Sequence, residues 1–267
     1  MKKAVEETYN AISDRINMGG ALVGITSGLK KLDEAILGFQ NRNLYYIGGR
    51  LSQGKTALLL NFLANCNVPC GIISAESGYQ ELTTRLLAMG SRLDIQKLSA
   101  GLLNKDEQKS LFKCVNSLYE QQAVIYDEPN ISIDRLSMIA RQMVMRHGIK
   151  ILFIDYLQIL APSMSVKNRP IREIIVHTSK QLKQLARTLD IPVVCAAQLN
   201  RSSDEGRPRL SQFSESAQIE QDADVAILIW NKSETESVLL VEKNRNGPTG
   251  DIRVSFQKDH VLFSDRI

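Results

Sequence analysis

The chain has 267 residues, of which 43% are apolar, and it carries a formal net charge of +4 at pH 7. This length fits one large domain or two small ones, and the apolar fraction is sufficient for the core of a globular protein. The charge is mildly basic without a long run of lysine or arginine, so it permits binding to nucleic acid but does not indicate it.

The length of the apolar stretches and the spacing of the cysteines restrict the class of protein further. No apolar stretch approaches the ~20 residues that cross a bilayer, and the two N-terminal lysines precede no apolar segment of a signal peptide. The four cysteines form no C-x-x-C pair, so a zinc site is not expected. We therefore expect a protein of the reducing cytoplasm that does not contact a membrane.

Residues 1–20 are predicted to form a linker helix that is separate from the domain that follows, residues 21–267. The helix is followed by Gly19 and Gly20, which break its pattern. Its apolar stripe is too narrow for an independent domain. The helix therefore either folds back on the core of its own chain or docks on a neighbouring subunit. The apolar residues at helical spacing are Val5, Tyr9, Ile12 and Ile16.

The segment from Asn43 to Ala64 is the most informative part of the chain. It reads as a short apolar strand, then Gly49-x-x-x-x-Gly54-Lys55-Thr56, then a helix. Glycines at this spacing permit a tight wrap whose N–H groups point at a phosphate, and the helix adds its positive N-terminal end. The pattern predicts a phosphate-binding loop for a nucleoside triphosphate, with Lys55 on the phosphates and the Thr56 hydroxyl on Mg²⁺. The predicted nucleotide-binding residues are Gly49, Arg50, Ser52, Gln53, Gly54, Lys55, Thr56 and Ala57.

After residue 40, short β-rich runs alternate with amphipathic helical segments. This alternation predicts an α/β fold, a mostly parallel sheet with helices on both faces and a C-terminal β-hairpin. The predicted strands are 44–47, 70–74, 123–126, 151–154, 192–197, 225–230 and 238–241, and the hairpin is 252–256 with 261–264. The predicted helices are 55–64, 80–89, 105–120, 133–146 and 172–189. Asn104 and Ser132 are predicted to cap two of these helices.

Three polar side chains follow apolar strands and are expected at the sheet edge that holds the phosphate-binding loop. Asp155 is placed to hold a Mg²⁺-bound water and the Thr56 hydroxyl. Glu76 is the candidate to polarise the attacking water, and Glu81 is its competitor. Gln198 is predicted to hydrogen-bond the γ-phosphate and so to sense it, with a structural amide as the alternative.

Lys243 and Arg245 precede a Gly-Pro turn near the end of the chain. A cation that reaches the transition-state charge on a phosphate raises the rate by orders of magnitude, and a neighbouring subunit can supply it. A solvated charged turn explains the same residues equally well. The spacing alone leaves both interpretations open.

The assembled motifs resemble one known family, the ATPase domain of DnaB-type replicative hexameric DNA helicases from bacteria or phages, which has a RecA-like fold. The resemblance runs nearly end to end. Three blocks are specific to this family rather than to phosphate-loop proteins at large: Asp155-Tyr-Leu-Gln158, Gln198-Leu-Asn-Arg201 and Ile219-Glu-Gln-Asp-Ala-Asp224. Recombinases of the RecA and RadA kind share only the fold.

The resemblance implies an enzyme that hydrolyses ATP with Mg²⁺ as a homo-hexamer, moves 5′ to 3′ along single-stranded DNA and parts the duplex. It assigns catalysis to Lys55, Glu76 and Gln198, and metal support to Thr56 and Asp155. It also implies that Lys243 and Arg245 act in trans on the nucleotide of the next subunit. Two loops, at about 162–169 and 201–217, are expected to grip DNA. The predicted DNA-binding residues are Lys167, Arg169, Arg201, Arg207, Arg209, Glu215 and Ser216.

The chain departs from the family pattern at two motifs. Ser77 follows Glu76 where the family has methionine, which changes the packing neighbour of that carboxylate. The second loop reads Phe213-Ser-Glu-Ser-Ala217 in place of Leu-Arg-Glu-Ser-Gly, which removes an arginine and a glycine from the expected DNA contact. The family's N-terminal domain, which meets primase and a helicase loader, is missing from this sequence. We interpret the sequence as either an excised ATPase fragment or a naturally short version.

Two other functions stay open from the sequence. A strand-exchange or filament ATPase of the recombinase class would form helical filaments on DNA instead of closed rings. A nucleotide-dependent scaffold would bind nucleotide but scarcely hydrolyse it, which a γ-phosphate release assay with and without single-stranded DNA would detect.

Overall fold

A computed structural model of the chain describes residues 1–17, 22–160, 169–200, 206–213, 217–233 and 236–266. The strands are β1 Leu44–Gly49, β2 Cys70–Ser74, β3 Ala123–Asp127, β4 Ile151–Asp155, β5 Val193–Gln198, β6 Val225–Asn231, β7 Ser237–Asn244, β8 Gly250–Gln257 and β9 Leu262–Asp265. The helices are α1 Lys2–Asn17, α2 Lys30–Ile36, α3 Lys55–Asn65, α4 Tyr79–Ser91, α5 Ile95–Ala100, α6 Lys105–Glu120, α7 Ile133–His147, α8 Ile171–Leu189 and α9 Ala217–Asp222. Single 3₁₀ turns occur at Leu157–Ile159, Leu210–Gln212 and Lys258–His260.

The strands form one sheet in the order β3-β2-β4-β5-β1-β6-β7-β8-β9. Strands β1 to β6 run parallel to their neighbours in this order, whereas β7, β8 and β9 each pair antiparallel to the strand before them. The parallel strands therefore end together at one side, here called the carboxyl edge. They begin together at the opposite side, the amino edge, where β7 ends because it runs antiparallel to β6. The predicted parallel sheet and C-terminal hairpin are confirmed.

Alternate residues of the central strand β1 enter two different cores. Tyr45 and Ile47 belong to the core that also holds residues of α3 and α4. Leu44 and Tyr46 belong to the core formed with α7 and α8. Because successive side chains of a strand point to opposite faces, this division means that helices cover both faces of the sheet. The predicted layer arrangement is confirmed, and buried strands of this kind position the loops at the carboxyl edge.

The two predicted helix caps are present. The Asn104 side chain accepts hydrogen bonds from the first turn of α6, where the Glu107 side chain completes a capping box. The Ser132 hydroxyl accepts from the Arg135 N–H at 3.3 Å at the start of α7. Three short helices were not predicted: α2, α5 and α9.

The apolar residues of α1 are exposed. Val5, Tyr9 and Ile16 expose 61%, 69% and 71% of their surface. Burial of such a stripe on the core of its own chain would leave far less of it accessible to water. The alternative that this helix folds back on its own core is therefore wrong, and a neighbouring subunit stays the predicted docking partner.

Three features of the described residues concern a membrane-crossing helix, a cluster of metal ligands and the state of the cysteines. Among the described helices, none has the length and apolar character that a membrane-crossing helix needs. The described residues also hold no cluster of three or more His, Cys, Asp or Glu side chains arranged for a metal ion. Cys66, Cys70, Cys114 and Cys195 are all buried free thiols.

Candidate nucleotide-binding site

The predicted phosphate-binding loop joins β1 to α3 at the carboxyl edge. Gly54 is the residue before α3, with φ 94°, and a Cβ there would meet the Phe256 ring at 2.9 Å. Both observations require glycine. Ser52 also has a left-handed backbone, with φ 59°. No side chain caps α3, so its first N–H groups are available to an anion at a positive helix end.

Lys55 points back across this loop. Its Nζ donates to the Gly49 carbonyl at 3.3 Å and to the Arg50 carbonyl at 3.2 Å. Burial lowers the pKa of the ammonium, while the charges of Asp155 and Glu76 oppose that shift. The cation is thus held between the loop and two carboxylates, where an incoming phosphate can replace the carbonyl oxygens as its partner.

Asp155 lies at the end of β4 against the start of α3, as predicted. Its Oδ2 accepts a hydrogen bond from the Thr56 hydroxyl at 2.8 Å, while its Oδ1 is buried without a hydrogen-bond partner. Burial raises the pKa of this carboxyl to about 6. A buried carboxylate oxygen without a partner, next to a hydroxyl, is the donor set that a hydrated Mg²⁺ takes. The residues present therefore fit the metal.

Replacing Asp155 by Asn is expected to stabilise the metal-free protein at neutral pH. The pKa is raised from 3.8 to about 6, so the ionised carboxylate costs on the order of 3 kcal/mol above pH 6. This cost disappears as the pH falls from about 6 toward about 4, because the folded state binds the proton first. Chemical denaturation with a chelator at pH 5 and pH 8 measures it. A stability gain that is equal at both pH values would contradict the assignment.

Glu76 follows β2 and is exposed in a pocket of about 570 Å³ that Lys55 and Thr56 also line. Two backbone hydrogen bonds fix its segment: the Ala75 N–H donates to the Asp155 carbonyl at 2.8 Å, and the Ser77 N–H donates to the Ser74 hydroxyl at 3.0 Å. Ser77, the residue that departs from the family pattern, is buried. The departure therefore leaves the glutamate at the pocket, between two backbone hydrogen bonds.

Gln198 ends β5 beside the end of β1. Gly49 and Gln198 are register partners, and the Leu199 N–H donates to the Gly49 carbonyl at 3.1 Å. Gln158 holds the backbone of Gln198 through two hydrogen bonds of 3.0 Å, one to its carbonyl and one from its N–H. The role of Gln158 was not predicted. Its position inside the family-specific Asp-Tyr-Leu-Gln block was the available signal.

Another wall of the pocket was also not predicted. Phe256 and Phe263 stack at 4.1 Å between ring centroids, and Phe256 lines the pocket together with Lys258. Arg85 of α4 lines it too and pairs with Glu81 at 2.6 Å. The hairpin and the helix that carry these residues are distant from the phosphate-binding loop in sequence, so local patterns do not reveal their place in the pocket.

Comparison with known families decides the relationship. The profile described as "DnaB-like helicase C terminal domain" matches residues 24–265. The chain belongs to the DnaB-like helicase C-terminal domain family. Membership implies that the pocket binds a nucleotide, and it confirms the resemblance found in the sequence.

Relatives and solved structures agree with this assignment. The chain is similar to "Replicative DNA helicase DnaB" of Treponema pallidum (strain Nichols), with 34% identity over 98% of this chain and 61% of that protein. It is also similar to a solved ATPase domain, with a TM-score of 0.90, 27% identity and coverage of 98% of this chain and 99% of that one. "The Structure Of A DnaB-Like Replicative Helicase And Its Interactions With Primase" gives a TM-score of 0.89, 28% identity and coverage of 98% and 67%. The chain spans about three fifths of the length of the curated DnaB relatives. The RecA-like fold is confirmed.

In this DnaB-like domain, Lys243 and Arg245 lie at the amino edge, far from the pocket of their own chain. The Lys243 Nζ donates to the Glu220 carbonyl at 2.5 Å, and the Arg245 guanidinium donates to the Gln221 carbonyl at 2.5 Å. Both carbonyls belong to the last turn of α9. The length of β1 separates this edge from the pocket, about 17 Å at 3.3 Å per residue. Neither cation is therefore part of the pocket of its own chain.

The predicted DNA-binding residues of the domain fall into three groups. Arg207 is engaged with two acidic residues, Asp251 at 2.7 Å and Glu242 at 3.0 Å, and its contact with DNA stays a prediction. Arg169 pairs with Glu173 at 3.1 Å, and Arg209 is exposed. The remaining predicted residues lie outside the described ranges: Lys167, Arg201, Glu215 and Ser216.

Proposed function

We propose that this chain is the motor domain of a replicative DNA helicase. It hydrolyses ATP with Mg²⁺ at the subunit interfaces of a homo-hexamer and uses the cycle to move 5′ to 3′ on single-stranded DNA and unwind the duplex. The observation that carries the proposal is the 2.8 Å contact of Asp155 with Thr56, since Thr56 lines the pocket together with Lys55 and Glu76. We place the protein in the cytoplasm.

Each residue of the pocket has one task in this proposal. Thr56 and Asp155 hold the Mg²⁺ ion, which, when bound, neutralises charge on the phosphates. Lys55 binds the β- and γ-phosphates, and the exposed Glu76 takes a proton from the attacking water. Gln198 contacts the γ-phosphate and transmits its presence to the loop that follows β5. That loop is contacted by the phosphate-binding loop itself, because Arg50 donates to the Gly206 carbonyl at 3.2 Å.

The neighbouring subunit completes the site in this proposal. Lys243 and Arg245 extend from the amino edge of one copy toward the nucleotide at the carboxyl edge of the next. A head-to-tail arrangement of this kind forms a ring when the rotation between subunits closes, and we propose that it closes with six copies. The exposed apolar stripe of α1 docks on an adjacent subunit and thereby keeps the ring together.

Primase and a helicase loader are proposed as further partners. One of the similar solved structures is described as a DnaB-like replicative helicase and its interactions with primase. In our proposal both partners meet the domain that precedes the linker helix in the family, while the 24–265 region supplies the motor.

Hydrolysis and unwinding assays test the proposal. We expect γ-phosphate release that requires Mg²⁺ and increases with single-stranded DNA, and unwinding of a fork that carries a 5′ single-stranded tail but not of one that carries only a 3′ tail. Electron microscopy with a non-hydrolysable nucleotide and single-stranded DNA is expected to show closed six-membered rings. Helical filaments would instead support the recombinase alternative, which the family match does not favour. Nucleotide binding with negligible hydrolysis would support the scaffold.

Changing Arg207 and Arg209 together to Ala is expected to weaken binding of single-stranded DNA and to flatten its salt dependence. Each lost phosphate contact reduces the slope of log K against log salt by about 0.7. Arg209 is expected to account for most of the change, since Arg207 is already held by Asp251 and Glu242. Fluorescence anisotropy on a labelled oligothymidine at several salt concentrations measures this slope. Arg187→Ala, an exposed change on α8, is the matched control, and an unchanged slope in the double variant would remove both residues from the DNA path.

A further inference from the structure

Arg85 has no assigned task in the proposed mechanism, yet it lies in the reaction pocket. It is on α4, which begins just after the segment of Glu76, and it lines the same pocket as Lys55 and Thr56. Its side chain is 30% exposed, so part of it is accessible to a ligand. Its charge is also felt at the metal carboxylate, where it lowers the pKa of Asp155 against the effect of burial.

The Arg85 guanidinium is held by Glu81, one turn earlier on the same helix, at 2.6 Å. An exposed pair of this kind is weak, because its charges remain solvated and two long side chains must be ordered. A bound phosphate offers two oxygens to the planar guanidinium and makes a stronger, bidentate contact. Exchange of Glu81 for a phosphate is therefore favourable.

The surroundings of Arg85 indicate which phosphate it meets. Glu76 lines the same pocket as Arg85, and in the proposed function it takes the proton of the water that attacks the terminal phosphate. The aromatic wall of Phe256 lies beside Gly54, at the start of α3. The phosphate nearest to Arg85 is consequently the terminal one.

We propose that Arg85 leaves Glu81 when nucleotide binds and contacts the terminal phosphate in cis, so that the pocket prefers a triphosphate to a diphosphate. This inference rests on the proposed function of the same pocket. Arg85 adds a cation from the bound subunit to the cations that Arg245 and Lys243 supply from the neighbour. Glu81 is the resting partner of Arg85 and not the base that activates water.

Equilibrium titrations of fluorescent nucleotides with Mg²⁺ test the assignment. For Arg85→Ala we expect a non-hydrolysable ATP analogue to bind about tenfold more weakly or worse, because a charged hydrogen-bond pair is lost, while ADP affinity stays within about twofold. Arg85→Lys is expected to bind the ATP analogue with an affinity between those of the original protein and Arg85→Ala. Lysine keeps the positive charge but cannot make the two parallel hydrogen bonds of a guanidinium. Arg141→Ala, an exposed change on α7, is the matched control with no effect on either affinity.

Two further variants separate phosphate contact from a structural role. Glu81→Gln should bind the analogue at least as tightly as the original protein and should continue to hydrolyse ATP. The double variant Glu81→Gln/Arg85→Ala should keep the loss of analogue affinity. Recovery in the double variant would mean that an unpaired Glu81 repels the phosphates, and it would overturn the proposal. Equal losses for ADP and analogue, or no loss, would also overturn it, whereas an original protein that binds neither nucleotide would contradict the proposed function itself.

Discussion

Replacing Lys55 by Ala is expected to abolish ATP hydrolysis, with a rate loss of at least about a hundredfold. The Lys55 ammonium lines the pocket, donates to two carbonyls of the loop and interacts with the charges of Asp155 and Glu76. Without it, the negative charge that develops on the phosphates in the transition state faces the two carboxylates without the ammonium that offsets them. Triphosphate binding is expected to weaken as well, because the same contact is present before the reaction.

The fold should survive this change. Lys55 contributes two hydrogen bonds to its own loop and is penalised by burial, as its lowered pKa indicates, so the melting temperature is expected to remain close to that of the original protein. Release of γ-phosphate, measured with single-stranded DNA present, gives the rate. Lys150→Ala, at an exposed residue before β4, is the matched control. Undiminished hydrolysis by the Lys55→Ala protein would show that the reaction occurs elsewhere.

The helices and strands that the sequence predicted are those whose formation depends on residues within or next to the element. Apolar runs such as 151–154 are long enough to define buried strands, and Asn104 caps α6 from the residue next to it. The short helix α2, in contrast, is stabilised by a residue that is distant in the sequence. Its first N–H groups are capped by Asp265, at 2.8 Å from the Lys30 N–H and 235 positions away in the sequence. With only seven residues, such a helix also shows too little periodicity to be recognised.

The contacts of the candidate site also divide into those that a local motif predicts and those that join distant parts of the sequence. The Thr56–Asp155 contact follows from a motif and from the rule that parallel strands end together. The ion pairs of Arg207 with Asp251 and Glu242, by contrast, join a loop to β7 and β8, and nothing in the loop sequence indicates that its arginine is already neutralised. Arg85 is similar, since only the fold brings α4 beside the phosphate-binding loop. Long-range electrostatics is thus the part that spacing did not predict.

Replacing Arg245 by Ala is expected to reduce hydrolysis on the order of a thousandfold while nucleotide binding persists. The reason is geometric: Arg245 is at the amino edge, about 17 Å from the pocket of its own chain at 3.3 Å per residue of β1. In the proposed function its phosphate partner therefore belongs to the next subunit. Folding should tolerate the change. Asp224, which Arg245 approaches at 3.5 Å, is still held by Lys183 and by the Leu44 N–H.

Mixing two inactive proteins tests the contribution in trans. An Arg245→Ala subunit keeps an intact pocket, and a Glu76→Gln subunit keeps an intact Arg245, so an interface that combines them in the right order is complete. Random mixing in equal amounts makes about a quarter of the interfaces complete. Hydrolysis should therefore recover to about a quarter of the original rate if interfaces act independently. Arg253→Ala, on an exposed position of β8, is the matched control and should remain active alone. Subunit exchange is verified with differently labelled proteins; if mixed rings form and hydrolysis stays absent, Arg245 does not act on the neighbouring nucleotide.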